Sequence, residues 1–531
     1  MQSASIIEKK WLVIILLALI VVAAYANSFF NPFMWDDVVL IPENTAIQYG
    51  WKSVVSAFSP ELWGLRTDDG AFQRYYRPMH TLLSVIDYRI WGFDPFGYHL
   101  SNTLIHLFNT VLLYFLVLRL IKDNGTALVA AAIFAAHPIH TESVTFISAR
   151  VDLLSAFFML VSFILYLKSG DNGRGGRRFL YGASLFSFLL SLLSKEMSLT
   201  FPLLLGIYIW VFEGRKNVLR RASPYFILLG LYIVFRVFAL PVFLESHKAQ
   251  AGIATLLTTA STVVFDYIRL LVVPYPLRAY YSIVWYSATD MKSILSFVLL
   301  MASAVTALLC LARGRKTAAL AIIWTFVAFA PVLNIGVLGD FSMAERFAYI
   351  PSIGFSILAA MALSMLPGKA SFRSASVLIV IVFVVLTFQR NRVWADELVF
   401  FTDMVEKAPE SAIPHINLAS VYEKRGDKDG AITQMKEAVR LAPRDAEVRY
   451  QLGFLYGQRG RFEEAVVELQ TAVDLNPDSV EALNALGMAY GQTGRFAQAE
   501  DAFRSALAID PGYASAAANL ERLKGARAGQ K

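Results

Sequence analysis

Residues 12–26 read LVIILLALIVVAAYA, an apolar run that is long enough, together with its flanks, to cross the hydrocarbon core of a membrane. Runs of this kind recur along the chain, which is 56% apolar and 17% charged, with a mean hydropathy of +0.51. A typical soluble domain is about 45–50% apolar and about 25% charged. An ordinary soluble enzyme, a disordered chain and a disulfide-rich scaffold are therefore excluded, and a polytopic membrane protein is predicted.

Eleven apolar segments are predicted to span the membrane. They lie at residues 11–29, 97–121, 126–147, 150–168, 178–194, 197–213, 223–241, 292–312, 317–335, 350–366 and 373–389. Short connectors rich in Lys and Arg separate many of them, and such connectors usually face the cytoplasm. The N-terminus is then cytoplasmic, and an odd number of spans places the C-terminus on the outer side.

Residues 252–273 are also apolar enough to span, but they include Asp266, Arg269 and several Ser and Thr residues. A span here would move the basic connector at 313–316 to the outer side, against the usual placement of basic residues. We therefore predict that residues 252–273 form an interfacial or re-entrant helix.

The first apolar segment has features of a secretory signal peptide, because Lys9 and Lys10 precede it and residues 24–26 (AYA) have the form of a cleavage site. We expect an uncleaved span, since the apolar run continues to Phe30 and ten further spans follow. The loop at 31–96 is predicted to lie on the outer side, where its Trp and Tyr residues favour short helices at the membrane surface.

The net charge of +7 is spread unevenly. Residues 411–531 contain 15 Lys and Arg against 16 Asp and Glu, so the positive excess belongs to the membrane-spanning part, where basic residues report topology. No basic run with interleaved aromatic residues is present in the sequence, and no nucleic-acid partner is expected. The single cysteine, Cys310, excludes an intramolecular disulfide.

The C-terminal region repeats every 34 residues. Recurring positions include Pro409, Pro443, Pro477 and Pro511, Gly426, Gly460 and Gly494, and Ala431, Ala465 and Ala499. This period, with small residues where paired helices touch and Pro after the second helix, is typical of tetratricopeptide repeats, which stack into an α-solenoid. We predict a half repeat at 393–410, repeats at 412–445, 446–479 and 480–513, and a capping helix at 514–525. A concave solenoid of this kind typically binds a partner.

Ionisable side chains gather at the predicted outer ends of the spans. They are Asp36, Asp37, His137, His140, Arg150, Asp152, Lys195, Glu196, Glu345 and Arg346. Ionisable groups at membrane depth are costly and indicate function. A carboxylate can act as a general base or hold a divalent metal, and nearby Arg or Lys can bind phosphate. The combination favours group transfer from a lipid phosphate to a hydroxyl group.

Each of these groups also has a purely structural explanation. The acidic pair at 36–37 could cap a loop helix, and His137 could be a hydrogen-bonded structural residue. The HPIH sequence at 137–140 is weak evidence for a metal pair. The residues that could neutralise one another are Arg150 with Asp152 and Lys195 with Glu196.

Seven motifs occur in a fixed order along the membrane-spanning part. They are WDD (35–37), YYRP (75–78), YHLSNTLIH (98–106), FAAHPIHTESV (134–144), ARVDLL (149–154), SKEMSLT (194–200) and AERFAYIPSIGF (344–355). Together with the repeats, the series resembles the transmembrane-and-tetratricopeptide-containing O-mannosyltransferase family of the GT-C glycosyltransferase superfamily. We therefore predict an all-α fold, with a GT-C-like membrane domain of about 11 spans at 1–390 and a tetratricopeptide-repeat α-solenoid at 391–531.

The resemblance implies a polyprenyl- or dolichyl-phosphate sugar as donor and a hydroxyl group on a protein as acceptor. The acidic pair after the first span is the expected catalytic site of the family, and it corresponds here to Asp36 and Asp37. In this hypothesis Asp36 accepts the proton of the attacking hydroxyl group, and the configuration at the anomeric carbon is inverted.

The AERFAYIPS motif implies that Arg346, with Tyr349, meets the donor phosphate. Lys195 or Arg77 would assist Arg346 in stabilising the leaving phosphate, so that no metal or other cofactor is required. The remaining ionisable groups are expected to support the site; they are Glu345, Glu196, His137, His140, Arg150 and Asp152.

Two features depart from the animal members of the family. Animal members usually carry many more repeats, and the one N-x-Ser/Thr sequon, at Asn124, falls on the predicted cytoplasmic side. Both favour a bacterial relative in the inner membrane with periplasmic repeats; a eukaryotic chain would lie in the endoplasmic reticulum membrane. The donor sugar and the acceptor are left open.

Two other classes of protein fit part of the pattern. A non-catalytic envelope scaffold, displaying a peptide-binding repeat array from a membrane anchor, would leave the outer charges dispensable. A transporter would place its charges near mid-membrane and show internally repeated halves, and the sequence shows no such repeat.

Overall fold

A computed structural model of the chain describes residues 2–48, 76–171, 173–239, 252–333 and 343–528. The regular elements within these ranges are all helices. The chain divides into two compact units, which we name the membrane unit (Met1–Asp396) and the repeat unit (Glu397–Lys531).

The membrane unit is built from helices of very different lengths. They are α1 (Gln2–Tyr25), α2 (Asp36–Leu40), α3 (Thr45–Gln48), α4 (Pro78–Trp91), α5 (Pro95–Ile121), α6 (Asn124–Ala136), α7 (Thr141–Thr145), α8 (Arg150–Asp171), α9 (Arg174–Leu192), α10 (Phe201–Tyr208), α11 (Val218–Ala239), α12 (Ile253–Val272), α13 (Met291–Ala312), α14 (Lys316–Val327), α15 (Pro351–Leu363) and α16 (Lys369–Asn391). One continuous apolar core runs between them, and its fully buried members include Leu17, Phe134, Phe163 and Ile353.

Eight helical segments in the described ranges are long and apolar enough to cross a membrane. They are Lys10–Ser28, Pro95–Ile121, Ile147–Asp171, Glu196–Glu213, Arg215–Phe238, Ile253–Val272, Met291–Ala312 and Lys369–Ala395. The helices Asn124–Ala136 and Pro138–Thr145, bent by 48° at a short break, make a ninth if they count as one broken span. The chain is thus a polytopic membrane protein.

The prediction of about 11 spans differs from this number because three predicted spans are short or polar. Helices α14 and α15 contain 12 and 13 residues, and at about 1.5 Å per residue neither covers about 30 Å of hydrocarbon. Helix α9 begins with basic residues and is rich in serine. Conversely, α12, which is predicted from the sequence to be interfacial or re-entrant, is long and apolar enough to span. The side of the membrane that the segments after α12 face therefore stays a prediction.

Serine side chains join α9 to α8. The Ser162 hydroxyl donates to the Ser184 carbonyl at 2.8 Å, and the Ser184 hydroxyl donates back to the Ser162 carbonyl at 2.6 Å. Further along, the Ser191 hydroxyl donates to the Ser155 carbonyl at 2.7 Å. Small hydroxyl residues allow helices to approach closely inside a membrane, which explains how so polar a helix packs into this unit.

The loop predicted at 31–96 contains three short helices in its described part. The first part of the loop, which contains α2 and α3, packs near α4. Side chains of these segments and of Tyr98 form a small apolar core that includes Ile41 and Val85. The rest of the loop, including Trp51 and Trp63, lies outside the described residues.

The repeat unit consists of paired antiparallel helices. They are α17 (Glu397–Lys407), α18 (Ala412–Lys424), α19 (Lys428–Leu441), α20 (Ala446–Gln458), α21 (Phe462–Leu475), α22 (Val480–Gln492), α23 (Phe496–Ile509) and α24 (Ala514–Ala528). Gly426, Gly460 and Gly494 adopt φ of +80°, +77° and +76° just after the first helix of each pair. This left-handed conformation favours glycine, which explains why glycine recurs at the 34-residue period.

Candidate functional site

The two neighbouring aspartates at the start of α2 have different surroundings. Asp37 is buried, and its Oδ1 accepts hydrogen bonds from the Ser148 backbone N–H at 2.7 Å and the Ser148 hydroxyl at 2.6 Å. Its Oδ2 accepts from the Met34 backbone N–H at 3.3 Å. Asp36 is accessible to solvent, and no described residue forms a hydrogen bond or an ion pair with its carboxylate. Asp37 therefore anchors the helix, whereas Asp36 can accept a proton.

Charged side chains from distant parts of the chain act on Asp36. Partial burial against the surrounding protein raises the pKa of Asp36. The positive charge of Arg346 lowers this pKa, and the negative charge of Glu142 raises it further. Burial raises the pKa of Asp37 to about 7, against the effect of its three hydrogen bonds. Asp36 is thus a carboxylate with a raised pKa beside a guanidinium group, as suits a general base.

Arg346 is held by Glu142, a residue that the sequence analysis did not single out. The Arg346 backbone N–H donates to Glu142 Oε2 at 2.9 Å, and the guanidinium Nη1 pairs with Glu142 Oε1. The Glu142 side chain is 1% exposed and that of Arg346 is 21% exposed. Glu142 lies two residues after His140, in the same motif (134–144), so an acidic residue beside two histidines was a usable sequence signal.

Lys195 forms a buried pair with Asp152. The Lys195 ammonium donates to both carboxylate oxygens of Asp152, at 2.7 and 2.6 Å, and lies 4.7 Å from the centre of the Phe347 ring. Burial lowers the pKa of Lys195 to about 8, with Arg77 and Arg346 acting in the same direction. The alternative in which Lys195 and Glu196 neutralise one another is therefore not found, and Lys195 lies close to Arg346 and Arg77.

Glu196 instead pairs with two arginines. Its Oε2 lies 3.3 Å from Arg77 Nη2, and its Oε1 lies 2.5 Å from Arg236 Nη2. Arg236 sits near the end of α11 and also donates to the Tyr232 hydroxyl at 2.7 Å. Arg236 was not predicted from the sequence, because residues 223–241 fit an ordinary span, although a charge inside an apolar segment is a usable signal of function.

Arg150 is a buried structural residue. Its Nη1 lies 2.7 Å from Asp87 Oδ2, its Nε donates to Asn102 Oδ1 at 3.1 Å, and its Nη2 donates to the Tyr98 carbonyl at 3.3 Å. The alternative in which Arg150 and Asp152 neutralise one another is thus not found. Arg150 locks α8 to α4 and α5, beneath the accessible groups.

The two histidines of the HPIH sequence are fully buried and hydrogen-bonded. His137 Nε2 lies 2.9 Å from the Leu271 carbonyl, and His140 Nε2 lies 2.8 Å from the Ser352 hydroxyl. These contacts favour the structural explanation over a metal pair. Within the described ranges, no group of three or more His, Cys, Asp or Glu side chains is arranged to hold a metal.

Tyr349 and Glu345 also face inward. The Tyr349 hydroxyl lies 2.7 Å from His106 Nδ1 and accepts from the Asn109 amide at 3.1 Å, and the residue is fully buried. The expectation that Tyr349 meets the donor phosphate is therefore not supported. Glu345 accepts from the Tyr281 hydroxyl at 2.8 Å, and burial raises its pKa to about 7. Both residues fix the turn that carries Arg346.

We define the outer cluster as Asp36, Arg77, Glu142, Asp152, Lys195, Glu196, Arg236 and Arg346. Asp36 is its one acidic member that no described residue engages by a hydrogen bond or ion pair. A carboxylate of this kind can remove a proton from a hydroxyl group, and Arg346, the cation that acts on Asp36, can stabilise a leaving phosphate.

Comparisons with known proteins agree with this arrangement of motifs. The chain is 26% identical over 480 residues to the human protein O-mannosyl-transferase TMTC1, an alignment that covers 78% of this chain and 54% of that protein. It is 25% identical over 501 residues to Drosophila melanogaster protein O-mannosyl-transferase Tmtc3, covering 79% and 54%. The predicted resemblance is confirmed, and the chain spans about half the length of these relatives.

The repeats are matched separately. A tetratricopeptide repeat family model covers residues 416–469 and 450–514, which confirms the type of repeat predicted from the 34-residue period. A solved structure, the first TPR of Spaghetti (RPAP3) bound to an HSP90 peptide, aligns with 21% identity and a TM-score of 0.22, over 22% of this chain and 94% of that one.

Proposed function

We propose that this chain, a relative of the TMTC protein O-mannosyl-transferases, is a membrane glycosyltransferase that moves a sugar from a polyprenyl-phosphate donor to a hydroxyl group of a protein. The names of the relatives support protein as the acceptor. The membrane setting and the cations of the outer cluster support a lipid-linked phosphate donor, because Arg and Lys bind phosphate through charge-assisted hydrogen bonds.

In the proposed step, the acceptor oxygen forms a bond to the anomeric carbon while the bond from that carbon to the phosphate oxygen breaks. Attack from the side opposite the phosphate inverts the configuration. The hydroxyl proton passes to Asp36, and polyprenyl phosphate leaves with its new negative charge stabilised by Arg346. The proposal requires no metal, because side-chain cations can stabilise this leaving group.

The observation that carries the proposal is the contrast between Asp36 and Asp37. Only Asp36 combines solvent access with freedom from hydrogen bonds to described residues, and Arg346 acts on it electrostatically. Asp37 is fully engaged by Ser148 and Met34. We therefore assign the base to Asp36 and a supporting role to Asp37.

We further propose that the outer cluster lies on the outer side of the membrane, with the N-terminus in the cytoplasm. The basic connectors support this orientation, since such connectors usually remain cytoplasmic. With an odd number of spans, as when the bent pair Asn124–Ala136 and Pro138–Thr145 counts as the ninth, the repeats lie outside the cytoplasm, where they would bind the acceptor protein. Binding there raises the local concentration of acceptor without changing the chemistry.

The decisive experiment compares Asp36→Asn with Asp37→Asn in the purified full chain. Radiolabelled polyprenyl-phosphate mannose and a Ser/Thr-rich protein acceptor serve as probes, and EDTA should leave transfer unchanged. Asp36→Asn should lose about 100-fold to 10,000-fold in rate, the usual contribution of a general base, with an unchanged melting temperature. Asp37→Asn should lower the melting temperature and keep activity in the folded fraction. Normal turnover by Asp36→Asn would exclude this residue as the base.

A further inference from the structure

Glu142 occupies an unusual position in the outer cluster. It lies in the short helix α7, which follows the buried histidines, and its carboxylate is almost completely removed from solvent. Burying a carboxylate is costly unless it is paired and hydrogen-bonded. Both of its oxygens are used on one residue, Arg346.

The two contacts act on different parts of Arg346. One carboxylate oxygen accepts from the backbone N–H at 2.9 Å, and the other pairs with the guanidinium group at the far end of the side chain. A ring closed in this way fixes the path of the side chain between its two ends.

Helix α7 is itself firmly held. The Thr145 hydroxyl donates to the Asn391 side chain at 2.9 Å, and the Asn102 amide donates to the Val144 carbonyl at 3.2 Å. Because Glu142 belongs to this well-anchored helix, its contacts fix the position of the Arg346 side chain. Arg346 itself is partly exposed.

We propose that Glu142 is a positioning residue for the transfer reaction: it aims the Arg346 guanidinium at the donor phosphate. The inference rests on the proposed function and deepens it, because it assigns the geometry of the phosphate-binding cation to one buried carboxylate. The charge of Glu142 also acts on Asp36.

The charged groups that face Asp36 are few among the described residues. Asp37 lies on the same helix, Glu142 comes from α7, and Arg346 comes from the turn Glu345–Ala348. The turn Ile147–Ala149, which packs against α2, contributes no charged side chain. Removing the negative charge of Glu142 should therefore make Asp36 easier to ionise.

Two substitutions separate the two roles. Glu142→Asp keeps the charge but shortens the side chain by one methylene, so that it can no longer reach both ends of Arg346. Glu142→Gln keeps the length but removes the charge. Glu213 provides a control, because it also pairs with an arginine side chain, that of Arg221, elsewhere in the membrane unit, where both side chains are 20% exposed.

The test uses the full chain in detergent or nanodiscs, with polyprenyl phosphate as the binding probe and polyprenyl-phosphate mannose as the donor. Glu142→Asp should weaken polyprenyl phosphate binding and lower kcat/KM by about 10-fold to 100-fold, the range that small misplacements cause. The acid limb of the pH–rate profile of Glu142→Asp should lie at the same pH as in the parent protein. Glu142→Gln should shift that limb to lower pH. Glu213→Asp and Glu213→Gln should change neither quantity.

Other outcomes overturn the inference in recognisable ways. If Glu142→Asp binds polyprenyl phosphate and turns over like the parent protein, Glu142 does not position Arg346. If both Glu142 variants only lower the melting temperature, with unchanged binding and an unchanged acid limb in the folded fraction, the residue is purely structural. Failure of the proposed function itself is separate: it would appear as normal transfer by Asp36→Asn, while the binding measurement on Glu142→Asp could still be made.

Discussion

Arg150 and Asp87 in the membrane unit have side chains that are 0% and 2% exposed, whereas Arg459 and Asp429, an ion pair between two repeats, are 50% and 66% exposed. The pairs have similar lengths, 2.7 and 2.5 Å. The same contrast extends to Lys195 with Asp152, which is buried. The two units thus use the same chemistry in opposite surroundings.

The difference indicates what each set of charges does. An exposed pair contributes little to stability, since water and salt already solvate its members. A buried pair pays a desolvation cost that its attraction barely offsets, yet removal of one partner is strongly destabilising. The buried charges of the membrane unit are therefore kept because they fix positions, whereas the repeat unit is held together by its apolar helix contacts.

The largest effect should follow from Arg150→Gln. This change leaves Asp87 buried without its cation and should lower the free energy of unfolding by about 3–5 kcal/mol. Thermal unfolding of the purified protein measures it, with Arg459→Gln as the exposed counterpart. Adding Asp87→Asn to Arg150→Gln should recover part of the loss. Equal shifts for Arg150→Gln and Arg459→Gln would remove the distinction between the units.

The sequence predicted the fold class and the repeats, because apolar runs and a 34-residue period follow directly from burial and helix pairing. It predicted span ends poorly. Residues 317–335 looked like one span, but α14 ends at Val327 and a short turn, Ala330–Val332, follows around Pro331. Hydropathy is averaged over a window and is insensitive to the residue where proline ends a helix.

A second comparison uses glycines in the two units. A Cβ at Gly354 would lie 2.5 Å from the Ala321 carbonyl oxygen and 2.8 Å from the Thr325 nitrogen, both backbone atoms of α14. Gly354→Ala should therefore cost about 1–3 kcal/mol through overpacking. At Gly457, in helix α20, a Cβ would meet nothing within 4 Å, so Gly457→Ala should stabilise by about 0.5–1 kcal/mol. Opposite shifts in melting temperature are expected, and two shifts of the same sign would contradict this explanation.

The folding stability of the two units should also depend on pH in opposite directions, and over different pH ranges. Burial raises the pKa of Asp37 to about 7, above its value in the unfolded chain. The contribution of Asp37 to folding stability is therefore fully present below about pH 4 and is lost as the pH rises through 7. Hydrogen bonds from arginine lower the pKa of Glu437 and Glu464 in the repeat unit. The stability that these two carboxylates contribute is lost only when the pH falls below the ordinary pKa of a glutamate.

Hydrogen exchange of the full chain between pH 8 and pH 5, corrected for the intrinsic rates, measures this difference. Protection near α2 should rise on acidification, by at most about 1.4 kcal/mol per pH unit for each carboxyl group, whereas the helices of the repeat unit should not change. Asp37→Asn should reduce the response near α2 and leave the part that Asp36 contributes, because burial raises the pKa of Asp36 as well. An unchanged response in this variant would assign it to Asp36 or to another group, such as Glu345.

The candidate site was predictable in most of its members but not in its contacts. The motifs pointed to Asp36, Arg346 and Lys195, and the structure brings charges from these motifs into one cluster. Their partners depend on how α4, α7 and α11 pack, which no local pattern specifies; this is why Asp87, Glu142 and Arg236 were missed. Adjacent residues in a helix point about 100° apart, so the sequence WDD could not show which aspartate is buried.

The smallest effect concerns the exposed pair of Arg459 and Asp429. A double-mutant cycle with Arg459→Gln and Asp429→Asn should give a coupling of about 0.2–1 kcal/mol. Because both side chains are in water, about 1 M salt should remove most of it. The same cycle on Arg150 and Asp87 should give a larger coupling that salt hardly changes, since no ions reach a buried pair. A salt-resistant coupling between Arg459 and Asp429 would mean that the repeats, too, keep charges to fix positions.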